Sequence, residues 1–558
     1  MYSMQSLITI WFEALILAAF WAVPIRANPK WPRSDAGYAP VPAQCPSGSL
    51  VRQANSIAQQ EADYVAQRKI SASKALRSWL NSTGARFDTA KLPTIALANS
   101  GGGYRAMLSG AGVVQALDGT DSSVSTSGLY QALTYHAGLS GGSWLLSSLI
   151  GNAGDAKVTT LQKELWTSAL AKNDIFPTNI LFAPEGPQIR KDLEAKQNAG
   201  FDPTIPDTWG RFLSYQLLQG TDGGVATRLS DVPTIKDFAS FAIPFPIITS
   251  IGKTGGISGD DCTPHDDAVQ FEFTPFEFGS WDSGIGAFTQ TAYLGTEMSN
   301  GYPVGGKCYQ NYDNLGYVLG TSSSKFEENC GLTEVNAIGI FLQLFTPLPS
   351  ARVSEQATGQ DPARRNLYAP YNNPFYGYSE SSLVSSDKEL YLVDGGVSNQ
   401  NNPIWPFIQP YRDVDVILVN DNSADTDDNW PNGTEVLHTY EQAQNRKLTK
   451  MPSIPTPDVI VSNNLNKHAI FLGCHDASKV TIVWLPNAKY NFDSNVSTSQ
   501  FQFTSDETAG MIANGNMIAT QGGDNQWSIC LACAITHKTA RYLPDECKAC
   551  LEKYCVSG

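Results

Sequence analysis

The pentapeptide Gly138-Leu139-Ser140-Gly141-Gly142 lies within the stretch TYHAGLSGGSWLLSSL. It satisfies G-x-S-x-G, and apolar residues precede and follow it. In that setting a strand runs in, a helix runs out, and the glycines permit the sharp turn that presents a serine hydroxyl. The chemistry implied is acyl transfer, with Ser140 attacking an ester carbonyl and carrying the acyl group as a covalent intermediate. The competing reading is a Gly-rich strand–helix turn around an ordinary serine.

A second Gly-rich segment, LANSGGGYRAMLSG, runs from Leu97 to Gly110. An apolar strand ends there in Gly101, Gly102 and Gly103 and opens a helix, whose first N–H groups have no helical partners and suit an oxyanion or a phosphate. Arg105, in the first turn, is a permanent charge whose fork matches phosphate oxygens; the alternative is a salt-bridged structural arginine. The same residues satisfy G-x-G-x-x-A, a dinucleotide-binding turn. That turn needs an acidic residue at the end of a second strand, whereas Asp118 and Asp121 follow a helical pattern.

The proton acceptor is less plain. Of the six histidines, His265, His438, His468, His475 and His537 occupy no telling loop, and His136 sits on the strand that leads to Ser140, a buried supporting position. The segment LVDGGVSNQNNP offers Asp394 at a strand end, followed by two glycines that leave room for another element. An aspartate works as a base only if its surroundings retune it. Ser–His–Asp and Ser–Asp arrangements both remain open on pattern alone, as does a turn-capping role for Asp394.

These residues need a scaffold. Apolar runs predict strands over Thr94–Ala98, Leu129–Tyr135, Glu389–Val393, Val414–Val419 and Val480–Leu485. Helical patterns cover Ser56–Leu80, Arg105–Leu117 and Ser143–Leu149. Strands alternating with helices predict an α/β core with a parallel or mixed sheet. The loop Asp421–Glu435 reads as a solvated acidic loop, because its carboxylates lack the spacing of a calcium-binding loop.

Composition narrows the function class. The net charge of −15 over 558 residues argues against nucleic acid and against a broad basic membrane-docking face. The apolar segment Leu7–Val23, interrupted by Glu13 and followed by Ile25-Arg26-Ala27, predicts a signal peptide over residues 1–27, with a retained anchor as the alternative. Residues 28–44 form a Pro-rich lead-in. The sequons at Asn81, Asn432 and Asn495 fit secretion. The polar tail carries no hydrophobic end of the kind a lipid-anchor signal needs, so a secreted location without such an anchor is expected.

Ten cysteines, an even number, suit an oxidising compartment. Five crowd the C-terminus: Cys530, Cys533, Cys547, Cys550 and Cys555. Two CxxC pairs there also fit a zinc ribbon, but behind a signal peptide disulfides are expected. Five being odd, one must pair outside the cluster or stay free.

The motifs SGGGYRAM, GLSGGSW, TPFEFGSW, YDNLGYVLGTSSSKF and LVDGGVSNQNNP together resemble the fungal secreted lysophospholipase/phospholipase B family, as does the Cys-rich end. Its catalytic region is similar to the cytosolic calcium-regulated phospholipases and, more distantly, to patatins. The resemblance spans about Cys45 to Cys555. It implies one α/β catalytic domain over residues 45–558, with a central mixed sheet flanked by helices and a disulfide-bonded C-terminus. It further implies a dyad of Ser140 and Asp394, an oxyanion hole at Gly101, Gly102 and Gly103, and a phosphate contact at Arg105. No metal or cofactor is implied. The expected substrates are lysophospholipids and glycerophospholipids, met transiently at a micelle or membrane surface. A general esterase with a histidine triad and an inactive lipid-binding protein are the alternatives.

Overall fold

Ile95–Asn99 and Tyr135–Leu139 are buried at every position, the pattern of strands covered on both faces. They form the middle of the sheet. The computed structural model describes residues 37–152, 156–172, 183–257, 262–329, 345–347 and 362–558. The apolar N-terminal segment and the first part of the Pro-rich lead-in lie outside the described residues.

Thirteen strands form one mixed sheet among the described residues. In chain order these are β1 (Val51–Gln53), β2 (Ile95–Asn99), β3 (Tyr135–Leu139), β4 (Phe245–Lys253), β5 (Val269–Phe273), β6 (Glu277–Ser280) and β7 (Ala287–Gln290). There follow β8 (Ala369–Asn372), β9 (Glu389–Val393), β10 (Val416–Asp421), β11 (Ile470–Leu472), β12 (Thr481–Pro486) and β13 (Cys555–Val556). The spatial order is β13-β11-β12-β10-β2-β3-β4-β5-β6-β7-β1, and β8 and β9 form a hairpin on the side. From β12 to β4 neighbours are parallel; beyond β4 the sheet continues as an antiparallel meander.

The helices that matter to the site are α1 (Gln59–Ser82), α2 (Gly103–Leu117), α3 (Gly141–Gly151), α4 (Leu315–Ser322), α5 (Thr434–Asn445), α6 (Ser505–Thr520), α7 (Trp527–Thr536) and α8 (Glu546–Tyr554). Helices α2 and α3 follow β2 and β3 directly and pack against each other, and α6 lies along α2. This is the α/β arrangement that the alternating pattern predicts.

One edge of β4 decides where the chemistry sits. Strand β3 runs parallel to β4 and pairs with it from Tyr135–Phe245 to Leu139–Thr249. Strand β9 runs antiparallel and pairs with β4 from Tyr391–Lys253 to Val393–Ile251. The opposite edge of β4 is taken by β5, so β3 and β9 occupy the same edge and approach each other end to end. The residues that follow them are Ser140 and Asp394.

Two sequence expectations are corrected. The apolar run Leu129–Tyr135 is not a strand: Leu129–Ala132 is a short helical turn entered through Gly128 at φ 104°, and the strand occupies Tyr135–Leu139. Apolar content alone does not separate a buried helical turn from a buried strand. The acidic loop is not solvated throughout. Asp421 is the last residue of β10 and fully buried, accepting hydrogen bonds from Trp484 Nε1 at 2.9 Å and Ser423 Oγ at 2.6 Å. Asp427 and Asp428 are exposed as expected.

The C-terminal cysteines are disulfide-bonded. Cys530–Cys550 and Cys533–Cys547 join α7 to α8, and Cys474–Cys555 leaves the cluster, tying β13 to the segment after β11. Cys45–Cys308 fastens the short strand Val41–Ala43 beside Cys308–Gln310. Mapping unreduced peptides by mass spectrometry should recover these four pairs. Cys555→Ser should lower unfolding stability by about 2–4 kcal/mol, because the bridge closes a long loop in the unfolded chain. An unchanged melting temperature would show that β13 is held by its strand pairing alone.

Candidate active site

Ser140 occupies a conformation that side chains rarely adopt, with φ 50° and ψ −121°. Its position between the end of β3 and the start of α3 forces this turn, the strained geometry expected of a presented nucleophile. Its N–H donates to Ser322 Oγ at 3.0 Å, and Ser322 in turn donates to the Thr249 carbonyl at 2.7 Å. Asp394 N–H donates to the Ser324 carbonyl at 2.9 Å. The serine-rich end of α4 therefore grips both residues through their main chains.

The Asp394 carboxyl accepts from Gly396 N–H at 2.8 Å, and the nearby Ser140 hydroxyl favours its ionised form. Asp394 is 2% exposed. Burial raises its pKa above the ordinary aspartate value, while the Lys325 ammonium, the Ser140 hydroxyl and the Gly396 N–H pull it back without cancelling the rise. Lys325 pairs with Glu328 at 3.0 Å and keeps a side chain that is 44% exposed. Glu327 beside it is fully buried, and burial lifts its carboxyl well above the usual range.

The glycine loop is built against Ser140. Gly101 N–H is already given to the Asn401 carbonyl at 3.0 Å, so Gly101 offers no donor of its own. Its contribution is space: a Cβ there would meet Asn401 Oδ1 at 2.2 Å and Ser140 Cβ at 2.9 Å. Gly102 caps α2 at φ 132°, and Gly103 begins it. A Cβ on Gly141, the first residue of α3, would meet Gly103 O at 2.1 Å and Gly103 N at 2.8 Å. The N-termini of two helices thus abut beside Ser140, both with unpaired N–H groups and the positive end of a helix dipole. Among the described residues no acceptor faces the N–H of Gly102, Gly103 or Gly141.

Arg105 is 1% exposed. Nε donates to the Asn422 carbonyl at 2.9 Å and Nη1 to the Val496 carbonyl at 2.7 Å. Nη2 lies 2.8 Å from where a Cβ on Gly102 would sit. Burial lowers its pKa to about 10, opposed by the attraction of Asp421 and Asp425, so it stays charged at neutral pH.

No histidine is among the hydrogen-bond partners of Ser140 or Asp394 in the described residues. His136 lies fully buried on β3, between Tyr130 Oη at 3.2 Å and Asn99 Oδ1 at 3.1 Å, and burial drives its pKa to about 3. Of the sequon residues, Asn81 is exposed near the end of α1. Asn432 is half-buried, with Oδ1 accepting from Thr434 N–H at 3.0 Å, and half-buried Asn495 spends Nδ2 on the Asp428 carbonyl at 2.8 Å.

The structure brings Ser140, Asp394, Gly101, Gly102, Gly103 and Arg105 into one region. It adds Gly141, Ser322, Ser324, Lys325 and Asn401, whose motifs GLSGG, TSSSKF and SNQNNP are visible in the sequence while their pairings are not.

Residues 95–558 match the family profile described as lysophospholipase catalytic domain. A lysophospholipase of Arthroderma benhamiae is 36% identical, over 96% of this chain and 88% of that protein. Lysophospholipase 2 of Aspergillus fumigatus is 35% identical, over 95% of each. Among solved structures, human GIVD cytosolic phospholipase A2 superposes with a TM-score of 0.67 at 18% identity, covering 89% of this chain and 72% of that one, a likeness of fold. On these matches and on the sheet that carries the site, the chain belongs to the lysophospholipase family of lipid-metabolising hydrolases.

Proposed function

We propose that this chain is a secreted lysophospholipase/phospholipase B that cleaves fatty-acyl esters of lysophospholipids and glycerophospholipids through an acyl-serine on Ser140, with Asp394 as its base. The observation that carries the reading is the meeting of Ser140 and the buried Asp394 carboxyl at one edge of β4, with no histidine among the hydrogen-bond partners of either in the described residues. Asp394 takes the hydroxyl proton as Ser140 Oγ attacks the ester carbonyl. The oxyanion forms where the N–H groups of Gly102, Gly103 and Gly141 converge, each such donor being worth about 10²–10³ in rate. Asp394 passes its proton to the departing glycerol oxygen, leaving an acyl-serine that water then cleaves.

Arg105 supplies the contact for the substrate phosphate, with Nη2 as the group left for it. Secretion is supported by the nine described cysteines, all of which lie in disulfides. No helix of the described residues is long and apolar enough to cross a membrane. In this reading substrate is met at a micelle or membrane surface.

Ser140→Ala should remove acyl hydrolysis by about 10³-fold or more, and Asp394→Asn by about 10²–10⁴-fold, both in folded protein. A histidine variant that loses activity while Asp394→Asn keeps it would establish a triad instead.

The base must be ionised to work. Since burial raises the Asp394 pKa, the acid limb of kcat/KM should lie at higher pH than an exposed aspartate would give. Lys325→Met, which removes a cation that stabilises the carboxylate, should move that limb to still higher pH. A limb that does not move would mean the half-exposed ammonium is screened by water.

Arg105→Lys should lower kcat/KM for lysophospholipid by about 10–10²-fold, the value of a charge-assisted hydrogen bond, while simple uncharged esters are affected much less. Equal losses on both would assign Arg105 to holding Asn422 and Val496.

A further inference from the structure

Asn401 is held at four points in the turn that follows Asp394. Its N–H donates to Glu435 Oε2 at 2.9 Å, and its carbonyl accepts Gly101 N–H at 3.0 Å. Nδ2 donates to the Gly101 carbonyl at 3.1 Å and to Ser423 Oγ at 2.9 Å. Both amide protons are spent. Turning the amide over would set Oδ1 against the Gly101 carbonyl oxygen, acceptor facing acceptor, so its orientation is fixed by chemistry.

Oδ1 consequently points toward the reacting groups. A Cβ on Gly101 would meet it at 2.2 Å and Ser140 Cβ at 2.9 Å. A Cβ on Gly396 would meet it at 2.9 Å and Asp394 Oδ1 at 3.2 Å. The amide oxygen and the carboxylate thus border one small space beside the nucleophile. Among the described residues no group donates to Asn401 Oδ1.

Two acceptors bordering one space suit a molecule with two hydrogens. The first half of the reaction does not need the second acceptor, because the Ser140 hydroxyl has one hydrogen and Asp394 takes it. The second half does. We propose that Asn401 is a catalytic residue of deacylation, its Oδ1 accepting one hydrogen of the attacking water while Asp394 accepts the other. Water's lone pair then faces the acyl carbon. As the new C–O bond forms, the second proton passes to Asp394. The tetrahedral intermediate expels Ser140 Oγ, which recovers that proton from Asp394, and the fatty acid leaves. The assignment rests on the acyl-serine reading above.

The test separates the two half-reactions in the full-length protein, with a p-nitrophenyl fatty-acyl ester and rapid acid quench. Asn401→Ala should give a burst of about one equivalent of p-nitrophenol and then turnover slowed by about 10–10²-fold, the loss expected for one buried hydrogen bond. An acyl adduct on Ser140 should accumulate by mass spectrometry, while a fluorophosphonate probe still labels Ser140 at nearly the wild-type rate. Ser423→Ala, which releases the amide without touching the clamped backbone, should give the same accumulation to a smaller degree. Labelling and turnover falling together in both variants, with no adduct, would overturn the proposal and leave Asn401 as a clamp on Gly101. Hydrolysis without any adduct in wild type or in either variant, at every quench time, would overturn the acyl-serine reading itself.

Discussion

The structure turns on one carboxylate that has been taken out of water and left facing a serine hydroxyl. Removing such a charge from solvent costs several kcal/mol, on the order of what a whole domain has to spare. Asp394 receives only part of that back, from one backbone N–H, the Ser140 hydroxyl and a lysine whose side chain is half in solvent. The incomplete compensation has a use. A carboxylate surrounded by full hydrogen-bond partners holds its charge too well to accept a proton, whereas one left short is a stronger base. The serine-rich end of α4, the β9 strand end and the Gly395-Gly396 turn all keep this group in place.

Around this negative point the remaining electrostatics run the other way. The N-termini of α2 and α3 meet beside Ser140, placing two positive dipole ends next to it. Their close approach requires glycine at 141, since any side chain there would collide with the backbone of Gly103. Arg105 reinforces the same region from below. Behind it stand Asp421, Asp425 and Glu435. Burial and mutual repulsion hold Asp425 above the usual carboxylate range and push Glu435 up to about 8. Glu435 therefore carries little charge at neutral pH, which limits how far this acidic rear wall opposes the cationic front.

Much of this was legible in the residues. The parallel core, the Ser140 turn and the Asp394 strand end follow from apolar runs punctuated by glycine, since each signal is local. Strand Glu389–Val393 matches the expected range to the residue. The misplaced strand near Leu129 and the buried Asp421 show the limit: composition reports that a segment is buried or polar, not where its pairing begins. The grip of Ser322 on Ser140, the loss of the Gly101 N–H to Asn401 and the placement of Lys325 beside the base depend on contacts between segments far apart in the chain. No periodicity encodes them. The meander Val269–Gln290 was likewise missed, although Gly284 and Gly286 mark the turn between its last two strands.

The shared edge of β4 has a consequence for the order in which the molecule comes into being. Strands β2, β3 and β4 pair in sequence order, so the turn at Ser140 is framed by segments that precede the meander in the chain. Strand β9 reaches the same edge only after the chain has passed through the whole meander and returned antiparallel. Closing the intervening stretch costs loop entropy that the β9 pairing must offset. A chain caught before that event has Ser140 in its turn and no Asp394 beside it. Ser140 and Asp394 thus come together only once the chain on both sides of the meander is in place.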